Sequence, residues 1–588
     1  MRAPWMDAMR ERNVRNAGLL LTIVGVGAVV GVATLLRLAE PLSSHVVPAE
    51  DPFTHMALVR EHLRDGSIDP LHAGGELYPP GMHAVVAALW SFGGGDLSLY
   101  ARFLPVLFGA IGVLGLALLL YRHEGAVGAV VGSLAFAVMP EAVFRTTMLA
   151  PTALDLAILP FFFLAILETL RGRLAWVGVA APLAVFLVFA HPWVLAIVGL
   201  TSLGFALLSL AVPWPARRGP ALTREGLAAA VAVLGGGFGL AMATCWEGCG
   251  TGFQGLLLPL AGSPEALGAV VVAIALAPAA LLLAVPRRVV DAVARLSQVR
   301  VPLVARVAAS VVAAVLLLLV TLPALEKGMP EHVNLARMIG LPILALAVAA
   351  LVLLPFVAGP AAHAGAALFA ATFPFVLHNP LDSEFWPHRT VVFLGLAVAL
   401  LAGVAAAGAA RGVVAAARAY AARAPDRRVR ARALAAGAVP ALLVTAAAGG
   451  AVYAGTPDPY DGWYRLYHPC EYDALVELST SLLAHPRAVV IVGSWQARLV
   501  VAAFAPESHR IWLKPGFYQS EEAREGDVLH FSRNAYPLAV VWEKYAAIET
   551  PGADPSFAEE APWQPAGAWC EGQGIAGPRV KAWAMRPG

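Results

Sequence analysis

Residues 51–66 read DPFTHMALVREHLRDG and follow directly on Glu50. Asp51 can cap a helix whose first position is Pro52, where the missing N–H of proline is harmless. Phe53, Met56, Ala57, Leu58 and Leu63 then give that helix an apolar side, the pattern of a helix lying in a membrane interface. Glu50 and Asp51 put two carboxylates at its start. His55, one turn beyond Asp51, projects near the cap, where an imidazole can hold a phosphate or help bind a metal. The chain next turns at Tyr78, Pro79, Pro80 and Gly81 and continues as the apolar segment Met82–Phe92. At about 11 residues this segment is too short to cross a bilayer and reads as a second interfacial helix.

On both sides of this loop the sequence is a succession of apolar runs. Of the 588 residues 59% are hydrophobic and only 14% charged, and the mean hydropathy is +0.71, which excludes an ordinary soluble chain. The runs predict spans at 17–37, 101–121, 125–140, 152–170, 174–190, 192–212, 226–245, 266–285, 303–323, 338–357, 361–377, 389–409 and 434–454, thirteen in all. A polytopic α-helical membrane protein follows, with the loop 38–100 as its long first outer loop. The first run lacks a small-residue cleavage pattern and reads as a retained span. A formal charge of +2, with arginines scattered among short loops, argues against a nucleic-acid partner.

The arginines report orientation. With the N-terminus in the cytoplasm, Arg122, the pair Arg171 and Arg173, the group Arg217, Arg218 and Arg224, the group Arg287, Arg288, Arg295, Arg300 and Arg306, and seven arginines between 411 and 432 all fall on one side. Positive residues near span ends are retained in the cytoplasm, so an odd span count exports the C-terminus. Cys245, Cys249, Cys470 and Cys570 then all lie outside, where disulfides persist. Cys245–Cys249 and Cys470–Cys570 are compatible pairs, and four free thiols are equally compatible.

Composition shifts near residue 455, dividing the chain into a membrane domain, 1–454, and a tail, 455–588. From 456 onward 16 acidic and 11 basic residues return with many aromatics. Ala488–Val492, Arg510–Leu513 and Leu538–Trp542 read as strands and Trp495–Phe504 as a helix, together a small extracytoplasmic α/β domain.

Further ionisable residues gather at outer span ends. Glu141, Arg145 and Asp155 follow the third span, and Asp155 opens a very apolar helix, where a carboxylate is costly and more often functional than decorative. A second group is Glu326, Lys327, Glu331, His332 and Arg337. A third is His378, Asp382, Glu384, Trp386, His388 and Arg389. Arg389 beside Trp386 can be an interfacial anchor, or a guanidinium whose planar fork matches the oxygens of a lipid phosphate.

Taken together, the loop-one acids Glu50 and Asp51, the helix DPFTHMALVREHLRDG, the YPPG turn and the exported tail resemble the GT-C superfamily of membrane glycosyltransferases. Within it the pattern is most similar to the catalytic subunit of oligosaccharyltransferase, with its thirteen-span plan and an Arg-Ser/Thr stretch leading to a metal-binding Asp. Here that stretch is FRTTMLAPTALDLAILP, residues 144–160, with Thr152 where the family's Asp would stand and Asp155 the nearest carboxylate. The tail has no WWDYG motif, which argues against sequon-directed transfer to protein.

The resemblance implies an enzyme of the cell (plasma) membrane and cell envelope. It would move a sugar or glycan from a polyprenyl-phosphate or polyprenyl-diphosphate donor to a protein, glycan or lipid acceptor at the outer face. Asp51 would be the general base, assisted by Glu50 or His55. Arg389, with His388 or Arg337, would bind the donor phosphate. Asp51, Asp155 and Glu331 would suit Mg²⁺ or Mn²⁺ if a cation is used. A transporter or flippase of a lipid-linked solute would need charges near mid-membrane, yet the span centres are mostly Gly, Ala, Val and Leu. A non-catalytic scaffold would be indifferent to replacement of Asp51.

Overall fold

The computed structural model describes residues 4–49, 51–64, 79–191, 193–211, 223–243, 263–284, 302, 304–312, 314–315, 334–357, 359–377 and 387–423, and in the tail 469, 472, 473, 476, 479, 489–492, 500, 503, 504, 511–513, 538–543, 563–569 and 580–585. Glu50, Glu331, all four cysteines, the expected span 434–454 and the domain boundary near 455 lie outside the described residues.

The helices are α1 (Pro4–Ser43), α2 (Asp51–Arg64), α3 (Gly81–Gly93), α4 (Leu97–Glu124), α5 (Ala126–Val138), α6 (Pro140–Arg145), α7 (Pro151–Leu170), α8 (Val177–Ala190), α9 (Trp193–Ala211), α10 (Arg224–Ala243), α11 (Pro264–Ala284), α12 (Leu341–Val352), α13 (Leu354–Val357), α14 (Pro360–Leu377) and α15 (Pro387–Arg423). A π turn over Ala336–Gly340 leads into α12. Among the described residues six helical stretches are long and apolar enough to cross a membrane: Gly18–Ser43, Leu97–Glu124, Pro151–Leu170, Arg224–Ala241, Pro360–Leu377 and Thr390–Ala419. Local signals set their ends. The Asp96 carboxylate accepts from the Ser98 N–H to start α4. Gly125, at φ +86°, stops α4 and turns the chain into α5.

The bundle is organised around α15. Val391–Leu394 and Leu396–Ala402 are all buried there, and a helix apolar all round has to be enclosed by others. α5, α12 and α14 enclose it. The α5–α15 crossing is close because both helices present glycine: a Cβ on Gly132 would stand 2.9 Å from the Ala399 carbonyl oxygen, and one on Gly403 2.8 Å from that of Gly128. Lipid-embedded helices gain little from hydrophobicity in associating, so such close packing does the work.

Of the arginines that the sequence places on one side, Arg122, Arg171, Arg173 and Arg411 share one end of the bundle. Arg122 at the end of α4, and Arg171 and Arg173 after α7, all reach the buried Glu168. Arg411 of α15 pairs with Glu124 at 2.8 Å. The opposite end carries a second apolar cluster, built from α2, α3 and the first turns of α4 and α7, which also takes in Tyr472, Val500, Ala503 and Phe504 of the tail.

α2 differs from its expected setting. Its buried face is Phe53, Met56 and Val59, each fully enclosed by protein, while Leu63 is exposed. An i, i+3, i+6 stripe finds α3 and α4 as partners, so α2 docks on the bundle instead of resting its apolar side on lipid.

The tail strands are β1 (Val489–Val492), β2 (Ile511–Leu513), β3 (Leu538–Glu543), β4 (Trp563–Trp569) and β5 (Val580–Met585), in one sheet of order β2-β1-β3-β5-β4. β1 is parallel to β2 and β3, whereas β5 is antiparallel to β3 and β4. The first three fall where the sequence places strands. β4 and β5 were not expected: Pro565 and Gly567 interrupt the first at a bulge, which hides its alternation.

Candidate active site at the outer cluster

The second apolar cluster is the scaffold of the site, because polar residues flank its members in sequence. Val46 is preceded by His45, Phe53 lies two residues after Asp51, Leu154 precedes Asp155, Ala190 precedes His191, and Tyr472 precedes Asp473. Packing five chain segments on one apolar nucleus brings their ionisable neighbours to one end of the bundle. Rigid supports of this kind hold a site better than loops alone.

The deepest of these residues is Asp155, in the first turn of α7 and fully buried. His191 Nδ1–H donates to its Oδ2 at 2.6 Å, from the end of α8. The other oxygen, Oδ1, is buried without a hydrogen-bond partner among the described residues. Sequence reading found Asp155 but not His191, which stands alone before Pro192 with only its position at a span end to mark it.

Asp51 opens α2 and is half-buried. Two residues before it, Ala49 adopts φ +65° and is itself buried, a left-handed conformation that an L side chain rarely takes. That turn redirects the chain from α1 into α2. Strained backbone of this sort concentrates at functional sites.

His55, one turn into α2, meets the neighbouring helix. It is buried against α3, its Nδ1 3.0 Å from Nε2 of His83, with His62 stacked edge-on to the same ring at 5.7 Å. Burial first, and then the neighbouring imidazoles, hold His83 well below the usual histidine value of 6.5. α3 in turn meets α8 through Gly81, where a Cβ would lie 2.7 Å from the backbone carbon of Phe189. The YPPG turn thus fixes the end of α8 that presents His191.

The segment after α5 contributes a buried pair, Arg145 Nε donating to Glu141 Oε1 at 2.8 Å within α6. Beside it Arg37 of α1, fully buried, donates from Nε to Thr146 Oγ1 at 2.6 Å and from Nη1 to the Ala33 and Ala137 carbonyls at 3.0 Å each. Sequence reading did not single out Arg37, which is a lone cation inside an apolar run. The π turn carrying the exposed Arg337 packs on α6, and so does α15. Gly395 of α15 abuts Met139, just before α6. His388 and Arg389 begin α15 about 9 Å further out along its axis.

The tail closes onto this surface. His45 Nε2 is 2.7 Å from Asp473 Oδ1, and Tyr472 packs among His45, Phe53 and Phe504 at ring separations of 5.8, 6.1 and 5.9 Å. Burial raises the Tyr472 phenol above its ordinary value, with the Asp96 and Asp473 carboxylates adding to the rise.

The expected divalent-cation set lies only partly within the described side chains. No group of three or more His, Cys, Asp or Glu among them is placed to hold a metal. Of the expected set, Glu331 lies outside the described residues and Asp155 is engaged by His191.

In fold the chain is similar to an archaeal oligosaccharyltransferase and to ArnT. The archaeal oligosaccharyltransferase AglB from Archaeoglobus fulgidus, in complex with an inhibitory peptide and a dolichol-phosphate, superposes at a TM-score of 0.56 with 14% identity, covering 90% of this chain and 70% of that one. The same enzyme in complex with Zn and sulfate gives 0.53 at 14% identity, covering 90% and 70%. ArnT from Cupriavidus metallidurans bound to undecaprenyl phosphate gives 0.50 at 15% identity, covering 96% and 97%. In sequence, residues 1–266 match a family of unknown function (DUF6541), and no curated protein matches.

Proposed function

We propose that this protein is an integral membrane glycosyltransferase that moves a sugar or glycan from a polyprenyl-phosphate or polyprenyl-diphosphate donor to an acceptor at the outer membrane face. The observation that carries the reading is the buried Asp155–His191 pair standing at the same end of a GT-C fold as Asp51. Solved structures sharing that fold are described in complex with a dolichol-phosphate and with undecaprenyl phosphate, which supports a lipid-linked donor here.

In this reading Asp51 takes the acceptor's proton or orients its nucleophile from a half-buried helix start. Asp155 fixes the His191 ring by its Nδ1–H. As an imidazolium it would offset negative charge developing on the departing phosphate. Arg337, His388 and Arg389 stand on the elements that border α6 and would bind the phosphate itself. The N-terminus lies in the cytoplasm, the tail, 455–588, forms an extracytoplasmic domain beyond the thirteenth span, and its contact with α2 narrows the acceptor side.

The test uses the full-length chain in lipid nanodiscs with a panel of polyprenyl-phosphate and polyprenyl-diphosphate sugars, with and without Mg²⁺ or Mn²⁺. The wild type should release sugar from one donor, and Asp51→Asn, correctly folded, should lose at least about a hundredfold. Equal turnover by the variant removes Asp51 from the chemistry. Failure of the wild type to bind any donor overturns the reading in favour of a transporter or scaffold.

A further inference from the structure

At the end of the bundle away from Asp51 and Asp155, a cavity of about 480 Å³ opens between α1, α4 and α5, lined by Gly18, Leu19, Thr22, Tyr121, Arg122, Gly125 and Ala126. Its place along α1 is informative. Gly18 begins the apolar stretch of that helix, directly after Arg10, Arg12 and Arg15, so the cavity stands at the level where hydrocarbon gives way to lipid headgroups. Its chemistry is divided in the same way. Arg122, about half exposed, and the Tyr121 side chain, 41% exposed, supply the polar part. Leu19 supplies an apolar wall continuous with the exposed Leu20, Leu21, Ile23 and Val24 on the outer surface of α1.

Arg122 is loosely held. Its Nε and Nη2 reach the two oxygens of Glu168 only at 3.4 Å, while Arg173 makes a much shorter contact to the same carboxylate and Arg171 approaches it at 3.3 Å. One carboxylate thus faces three guanidiniums, and the one lining the cavity is the most weakly engaged. A guanidinium presents paired N–H donors that match phosphate oxygens. Thr22 donates its hydroxyl back to the Gly18 carbonyl at 2.8 Å, which turns its remaining capacity to accepting, as a glycerol hydroxyl would require. Gly125, at φ +86°, leaves that side of the cavity without a side chain.

We infer that this cavity binds the phosphate of an anionic phospholipid, with the headgroup on Arg122 and an acyl chain along Leu19–Val24. The site is separate from the proposed transfer chemistry and does not depend on it.

Native mass spectrometry of the full-length protein with dioleoyl phosphatidylglycerol and dioleoyl phosphatidylcholine tests it. Phosphatidylglycerol should be retained in preference, and Arg122→Gln should weaken its binding about fivefold, the scale of one basic residue at an anionic lipid surface, with phosphatidylcholine unaffected. Gly18→Leu serves as a second variant, since a Cβ at Gly18 meets nothing within 4 Å and the added side chain fills the cavity without disturbing the arginines. It should weaken phosphatidylglycerol binding comparably. Equal retention of the two lipids, or binding unchanged in both variants, overturns the assignment. Displacement of the lipid by millimolar glycerol phosphate would identify a soluble phosphate compound as the occupant and overturn it equally.

Discussion

The two ends of the bundle bury carboxylates in opposite ways. Glu168 is fully buried, with His123 at 3.8 Å, yet it is also touched by Arg122, Arg171 and Arg173, cations at any physiological pH, so its charge is answered whatever the state of the histidine. Asp155 is as deeply buried but is paired with a histidine, whose charge comes and goes with a proton, and one of its oxygens has no hydrogen-bond partner among the described residues. Permanent neutralisation makes a staple. Conditional neutralisation leaves a group that can exchange protons or answer a changing charge, which is what a reaction centre requires.

The contrast breaks cleanly in two variants. Asp155→Asn should leave the protein folded and lower turnover by about 10²- to 10⁴-fold, measured as sugar release per folded molecule. Glu168→Gln should do the reverse, leaving three guanidiniums around a neutral amide and lowering stability by about 3 kcal/mol with turnover per folded molecule retained. If both variants lose activity in proportion to stability, the two ends do not differ in kind.

Stability should also separate the ends by their apolar support. Phe53→Ala empties the centre of the outer cluster, where the ring is fully buried against Tyr472, and should cost about 3–5 kcal/mol in a thermal or denaturant melt. Its effect on turnover should exceed its effect on melting, because α2 and the tail dock through the same ring. A loss of turnover no greater than the loss of folded protein would show that tail docking is incidental.

What could be read from the sequence divides along the same line. The membrane helices were legible because long apolar runs have one solution in a bilayer, and the arginine placement gave a common face that Glu168 then realises. Asp51 and Asp155 were legible as carboxylates at the edges of apolar runs. Their partners were not. His191 and Arg37 reach the candidate site only through packing of α8 and α1 against distant segments, and nothing local distinguishes a histidine at one span end from another. His55 was legible as an imidazole one turn into α2, but its partner was not, because a second helix, α3, supplies His83.

That imidazole cluster gives its end of the bundle a pH response of its own. His83 stays neutral in the folded chain, whereas in the unfolded chain it takes a proton near 6.5, so at acid pH the unfolded state binds more protons. Stability is therefore full above about 6.5 and falls as pH drops below it, by at most about 1.4 kcal/mol per pH unit for one group. Melting curves between pH 7.5 and 5.5 should show a shallower decline for His83→Gln than for the wild type. Parallel declines would place the acid sensitivity outside α2 and α3.

The smallest expected effect bears most directly on how the outer end positions its carboxylate. Ala49 holds φ +65° while buried, a conformation costing an L residue about 1–2 kcal/mol. Ala49→Gly relieves that strain but frees the unfolded chain by about 0.4–1 kcal/mol. It also gives up a buried methyl worth about 0.8 kcal/mol. These contributions nearly cancel, so the melting midpoint should move by no more than about 4 °C. Turnover is a separate matter, since the turn at Ala49 directs Asp51 and glycine admits many alternatives to it. A fall in turnover of a few fold at unchanged stability would mean that the strained turn aims Asp51, while Ala49→Val, which adds a β-branch to the same left-handed backbone, should lower stability outright. Unchanged turnover in the glycine variant would assign the aiming of Asp51 to the packing of Phe53 alone.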